Sequence, residues 1–183
     1  METTHECTSH VTAWITSKSL SRGLGWGFLG GLAGTMIMDL LLMGILLVLG
    51  QPAGLCFSIV GDTVSRFLAM VGAQVAGGVP TGVVTHYVIG PLFGTLFGAM
   101  VTGLGALRAT SVKKCILLAV VYVEVLSQPI LVTTPILLKM KAPATLQWFG
   151  GSFVMHLILS IVLGLIVGCG LRLTPLVTRR RAQ

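Results

Sequence analysis

Glycines at every fourth position of an apolar segment constrain the fold of this chain more than any other feature. Gly90, Gly94 and Gly98 follow this spacing, and the same step backwards reaches His86. Residues four apart share one face of an α-helix, so an ionisable ring and a groove of glycines lie on the same side. We expect that side to pack closely on other helices. The bulkier opposite face, which we expect to meet lipid, holds Leu92, Phe93, Leu96, Phe97 and Met100.

The composition places these helices in a lipid bilayer. The chain of 183 residues is 54% hydrophobic and 9% charged, whereas soluble domains carry about 25% charged residues. No Asp, Glu, Lys or Arg occurs between Arg66 and Arg108 or between Lys141 and Arg172, and each interval exceeds the roughly 20 residues that a span needs. The net charge of +7 comes from basic residues at the ends of apolar segments. This pattern indicates membrane anchoring and no nucleic-acid partner.

The sequence predicts an all-α polytopic membrane protein with four transmembrane helices, at about residues 23–49, 81–107, 115–138 and 146–171. A polar tail of residues 1–22 precedes this bundle of residues 23–171, and a basic tail of residues 172–183 follows it. Between the first two spans, residues 55–76 form an amphipathic segment that we expect to lie in the interface or to re-enter the membrane. This segment is either a connector, which we favour, or a lid over the outer mouth of the bundle.

Neither the cysteines nor the N-terminal tail indicates a metal site. The four cysteines are far apart in sequence, and no CxxC pair occurs. His5, Glu6, Cys7 and His10 lie close together in the tail but lack a regular ligand spacing. We therefore expect the tail to be disordered or to lie on a surface.

Two acidic residues fall inside predicted spans. The small face of the first span reads Gly23, Gly27, Gly31, Thr35 and Asp39 in steps of four, so Asp39 points inwards with the glycines. An intramembrane Asp costs about 2.5–3.5 kcal/mol on insertion scales, and it marks either a functional site or a protonated side chain bonded to a neighbouring helix. Glu124 lies in the third span beside Ser127 and Gln128, upstream of Pro129 and Pro135, which can kink that helix.

The fourth span repeats the pattern of the second. His156, Gly164 and Gly168 follow His86, Gly94 and Gly98 at a constant offset of 70 residues. Either a parallel duplication of two-span units or chance explains this match.

The two histidines are weak metal candidates, together with Asp39. Measured from Arg108 and Arg172, their heights differ by roughly 9 Å, which disfavours a haem held between them. Two interpretations remain for Asp39, His86, Glu124 and His156. They form a proton or ion path, or each histidine bonds a polar group across a helix interface.

The basic residues predict the orientation. With four spans, nine lysines and arginines share one side and three share the other. The positive-inside rule then places both termini in the cytoplasm, and we expect the plasma membrane of a prokaryote.

The motif GGLAGTMIMDLLLMG of the first span, with two glycine-striped spans that each follow a histidine, resembles an uncharacterised group of small prokaryotic four-span membrane proteins. The resemblance covers about residues 23–172. It implies the fold and supplies neither an activity nor site residues.

Three classes of function fit these observations. We favour an accessory subunit of a larger membrane complex, possibly of the respiratory or oxidase type, because loops are short and small-residue faces are numerous. Its partners are membrane lipids and other integral membrane subunits. The alternative is a small oligomeric transporter or channel that uses the intramembrane Asp, Glu and His residues. The third class is a haem- or metal-binding redox protein. The residues identify no cofactor and no catalytic group.

Overall fold

The computed structural model describes the backbone of residues 3–104, 107 and 111–180, and the side chains of residues 19–104, 107 and 111–172. This part of the chain is helical, without strands. Its five helices are α1 (Thr3–Val48), α2 (Leu55–Met70), α3 (Gly78–Gly103), α4 (Val112–Leu138) and α5 (Ala142–Arg180).

Four stretches of these helices are long and apolar enough to cross a membrane. They are Ser19–Val48, Gly78–Gly103, Val112–Leu138 and Ala142–Arg172. They match the four predicted spans and indicate a multi-pass membrane protein.

The outer helices extend further than the predicted spans. Backbone helix runs through most of residues 1–22 and 172–183, because α1 begins at Thr3 and α5 ends at Arg180. The expectations for His5, Glu6, Cys7 and His10, and those for Arg108, Arg179, Arg180 and Arg181, concern side chains outside the described residues.

Glycine in the left-handed conformation ends two of the helices. After α1, Gly50 has φ +69°, and its N–H donates to the carbonyl of Leu47 while Gln51 N–H donates to Leu46. Gly72, with φ +85°, ends α2 in the same way. These paired bonds form Schellman motifs, which satisfy carbonyls that would otherwise lack donors at a helix end.

Helix α4 is assigned as one continuous helix through Pro129 and Pro135. Proline has no N–H, so Pro135 leaves the carbonyl of Leu131 without its usual partner four residues on. The indole Nε1 of Trp148 on α5 donates to that carbonyl at 3.1 Å. A side chain from a neighbouring helix thus replaces the missing backbone donor, as membrane helices require.

The helices pack as two pairs that share a core. Gly90, Gly94 and Gly98 of α3 lie against Gly23, Gly27 and Gly31 of α1, so closely that an added Cβ would collide with backbone oxygens. In the second pair, Gly164 and Gly168 of α5 lie against α4 at Val112, Cys115 and Ile116. The second helix of each pair therefore presents its glycines to the first, which agrees with the predicted parallel repeat. The pairs meet mainly where α1 packs on α5.

One part of the predicted lipid face of α3 is wrong. Leu92 and Leu96 are exposed, but Phe97 is completely buried in the core shared by the helices. Its ring packs on Tyr122 of α4, with the ring centroids 5.3 Å apart. The Tyr122 hydroxyl also donates to the carbonyl of Phe93 at 2.9 Å. Helix α4 thus covers one flank of α3 that periodicity alone assigns to lipid.

The amphipathic segment is the helix α2, which packs on α3 and α4. Thr63 is buried and bonds to Thr134 of α4 at 3.2 Å. Arg66 donates to the carbonyl of Leu137, at the end of α4, at 2.8 Å. Asp62 accepts from Gly78 N–H at 2.7 Å. These contacts fasten both ends of α2 to the spanning helices.

Candidate functional site

The glycine contact between α1 and α3 brings Asp39 and His86 together. Both residues continue their glycine rows in steps of four, so the close approach of the two backbones extends towards them. His86 Nδ1 lies 2.9 Å from Asp39 Oδ1. The sequence predicts that each residue faces protein, and the structure adds that they face each other.

The Asp39–His86 pair is enclosed. Asp39 is 2% exposed and the side chain of His86 is 15% exposed. The ring of Phe57, on α2, packs edge-on against the imidazole, with centroids 5.2 Å apart and planes at 67°. Burial of a lone carboxylate is costly, and a hydrogen-bonded partner offsets that cost.

The hydrogen bond also determines which nitrogen of His86 is free to act. A carboxylate only accepts, so the proton lies on Nδ1 and Nε2 remains available. Asp39 Oδ2 has no partner among the described residues. The pair can therefore hold one exchangeable proton and presents a second nitrogen outside the bond.

A cavity of about 990 Å³ adjoins the pair. All five helices contribute to its wall, which is mostly apolar and lies at the end of the bundle where α1 finishes and α3 and α5 begin. Its polar side chains include Thr35, His86 and His156. Ligand sites in proteins have roughly this form, with an apolar lining and few polar groups.

His156 lies closer in height to His86 than the sequence predicts. On the interface between α1 and α5, Gly30 lies against Leu163 and Gly34 against Leu159. Continuing this register places His156 level with residue 37 of α1, about 3 Å from the height of Asp39. The predicted difference of 9 Å is wrong because α5 continues as helix past Arg172 whereas α3 ends at Gly103, so the arginines do not mark equal heights.

Glu124 is separate from this group. It does not line the cavity, and its backbone carbonyl accepts from Ser127 Oγ at 3.1 Å and from Gln128 Nε2 at 3.0 Å. Its Oε1 is enclosed without a partner in the described part of the chain. Of the four predicted polar residues, three thus meet at one end of the bundle and Glu124 lies on another side of α4.

Helix α2 contributes residues that the sequence analysis did not identify. Cys56 lines the cavity, and Phe57 covers His86. Burial and, to a smaller degree, the Asp39 carboxylate raise the pKa of the Cys56 thiol from 9.0 to about 12. The apolar face of the amphipathic segment was the available signal, but it does not reveal which span this face covers.

The residues offer no grouping for a metal. Among the described side chains, no three of His, Cys, Asp or Glu converge in a way that could hold an ion. The weak metal candidates Asp39, His86 and His156 therefore gain no support from this arrangement.

No protein-family model, curated protein or solved structure matches the chain. The resemblance to small four-span proteins remains a prediction from the quoted motifs. The geometry itself defines the candidate site, as an apolar cavity inside a membrane bundle with an enclosed Asp–His pair in its wall.

Proposed function

We propose that this protein is a small membrane transporter that takes a lipophilic molecule into the cavity. The observation that carries the proposal is the cavity of about 990 Å³, with His86 in its wall and Asp39 behind the imidazole. A bundle that served only as a scaffold would gain stability by filling this space with side chains.

The Asp39–His86 pair is the proposed coupling element. A proton on the imidazole makes an ion pair with Asp39, and its loss leaves a buried carboxylate without a counter-charge. Filling the adjoining cavity changes the solvation of the pair, so proton binding and solute binding influence each other. Other titratable groups that face this region are Cys56 of α2 and His156 of α5.

The proposal differs from the accessory subunit that the sequence favours, because one support for that function is weakened. The numerous glycine faces were expected to exceed the needs of one bundle. Instead, the rows that include Gly27, Gly31, Gly94, Gly98 and Gly164 are occupied by contacts within the chain.

An accessory role remains the second candidate, on the evidence of α4. Glu124 and the exposed Gln128 lie amid lipid-exposed residues such as Val121 and Val125, which are 56% and 63% exposed. Polar groups at such positions favour contact with another membrane helix. Native electrophoresis of gently solubilised membranes tests this role. Migration with larger partners supports it, whereas a discrete homo-oligomer or monomer contradicts it.

For the arrangement in the membrane, we propose the plasma membrane of a prokaryote with both termini in the cytoplasm. The support is the charge asymmetry of the loops and tails. The cavity and α2 would then lie in the outer half of the membrane, with α2 either in the interface or re-entrant over the cavity. Reporter fusions at each terminus test this orientation, and an external terminus would contradict it.

Two adjacent glycines allow a sharp test of the proposed function. Gly151 lines the cavity and Gly150 does not, and an added Cβ meets nothing within 4 Å at either position. Gly151→Phe therefore fills the cavity without a backbone collision, and Gly150→Phe is its matched control. Native mass spectrometry should detect a retained lipophilic molecule in wild type and Gly150→Phe but not in Gly151→Phe. Equal retention by all three proteins would contradict the proposal.

A further inference from the structure

The polar atoms around the cavity restrict the head group of the molecule that enters it. This inference rests on the proposed function, since it specifies the ligand of the same cavity. Thr35 is 1% exposed, lies in the cavity wall, and its hydroxyl has no hydrogen-bond partner in the described part of the chain. His156 Nδ1 likewise lacks a partner. Buried polar groups are nearly always paired, so two unpaired ones beside one cavity indicate a polar ligand.

Gly90 keeps the Thr35 hydroxyl uncovered on the α3 side. A Cβ at Gly90 would collide with Thr35 Oγ1, and Gly90 is itself part of the cavity wall. Glycine at this position thus allows α1 and α3 to approach closely and leaves the hydroxyl free of a covering side chain.

The charges near the cavity disfavour a charged head group. None of the described residues in its wall is Lys, Arg, Asp or Glu. An anionic head such as a phosphate would find no fixed cation and would approach the carboxylate of Asp39 behind His86. A cationic head would meet two imidazoles, while Asp39 is enclosed and already bonded to His86. An uncharged head avoids both costs.

Two imidazoles at similar height on different helices favour a head with two oxygen acceptors. With Asp39 as its partner, protonated His86 donates outwards from Nε2, and a ligand carbonyl can accept that bond. His156 and Thr35 provide donors on α5 and α1. We propose that the cavity binds a molecule with an uncharged carbonyl-bearing ring and an apolar tail, which is the chemistry of an isoprenoid quinone. The apolar remainder of the wall accommodates the tail.

Trp148 provides the measurement. It lies in the cavity wall, and its bond to the Leu131 carbonyl holds the indole in place. A short-chain isoprenyl benzoquinone added to the full chain in nanodiscs should quench its fluorescence saturably. Trp148→Phe should lose this saturable component and retain only quenching from quinone dissolved in the bilayer.

Variants and competing ligands then identify the head group. His156→Phe and Thr35→Val each remove a polar partner at nearly constant shape, and each should weaken quinone binding about tenfold, as expected for one hydrogen bond. Isoprenyl phosphate and isoprenyl amine should compete at least tenfold less well than the quinone. Unchanged binding in both variants would overturn the assignment of these contacts.

The outcomes separate this inference from the proposed function. If the phosphate or the amine binds saturably in preference to the quinone, the head-group assignment is wrong and the transporter proposal stands. If no probe binds saturably and Gly151→Phe retains the same molecules as wild type, both are wrong. Quenching that is equal in wild type and Trp148→Phe reports partition into the bilayer and overturns the quinone assignment.

Discussion

The contact between α1 and α3 can be tested with alanine at two glycines of one helix. Gly27 faces α3, where an added Cβ would collide with the carbonyl oxygen of Gly94 and lie 3.1 Å from the Cα of Thr95. Gly25, two residues earlier, has nothing within 4 Å of the same added atom. The two variants share the same chemical change and differ in their surroundings.

The expected difference follows from the geometry. Carbon atoms pack at about 3.5–4.0 Å, so Gly27→Ala forces the helices apart by roughly 0.5 Å or more. Overpacking of this kind costs about 1–3 kcal/mol. Both variants gain up to about 1 kcal/mol of helix propensity, which cancels in the comparison. We therefore expect Gly27→Ala to be about 1–3 kcal/mol less stable than Gly25→Ala.

Reversible unfolding in mixed micelles, followed by circular dichroism during a titration with sodium dodecyl sulfate, measures this difference. The wild type and both variants are compared at the same protein and detergent concentrations. Equal unfolding free energies for the two variants would refute the close packing of α1 on α3. The register that brings Asp39 to His86 would then lose its basis.

Three further predictions concern the surroundings of the cavity. Asp39→Asn retains an acceptor for His86 and should unfold within about 1 kcal/mol of wild type, whereas Asp39→Ala should lose about 1–3 kcal/mol in the same titration; equal stability of both would contradict the pair. Because its pKa is raised to about 12, the Cys56 thiol at pH 8 should react with maleimide about a thousandfold more slowly than in the unfolded chain, measured by mass shift, and rapid native labelling would contradict its burial. Trp148→Phe should cost about 1 kcal/mol in wild type but less in a Pro135→Ala background, where the Leu131 carbonyl regains a backbone donor; additive effects in this double-mutant cycle would contradict the replacement bond.

The glycine spacing alone predicts the most important contact of the site. Asp39 and His86 each continue a row of glycines, and two such rows that pack on each other bring their extensions together. The local contacts of Glu124 with Ser127 and Gln128 were also predictable, since residues three and four apart are neighbours on a helix.

Contacts between helices that lack matching rows were not predictable in the same way. The height of His156 depends on how Leu159 and Leu163 fit against Gly30 and Gly34 of α1. Basic residues at the helix ends do not report this fit. Phe97 is buried because Tyr122 of a distant segment covers it, and periodicity within α3 carries no information about that neighbour.

The cavity itself was beyond sequence analysis, because it depends on all five helices at once. The amphipathic pattern of residues 55–76 predicts a helix with one apolar face. It does not predict that Phe57 covers His86 or that Arg66 bonds to the end of α4, since both contacts require the relative positions of α2, α3 and α4.

Photolabelling with a small lipophilic diazirine in native-like nanodiscs, read by peptide mass spectrometry, tests the cavity most directly. Met155 and Leu159 are each 7% exposed yet line the cavity, whereas Leu40 and Leu117 are each 65% exposed on the outer surface. If lipophilic molecules enter the cavity, Met155 and Leu159 should be labelled in wild type and Gly150→Phe, and the label should be lost in Gly151→Phe. Label confined to outer residues such as Leu40 and Leu117 would contradict the account.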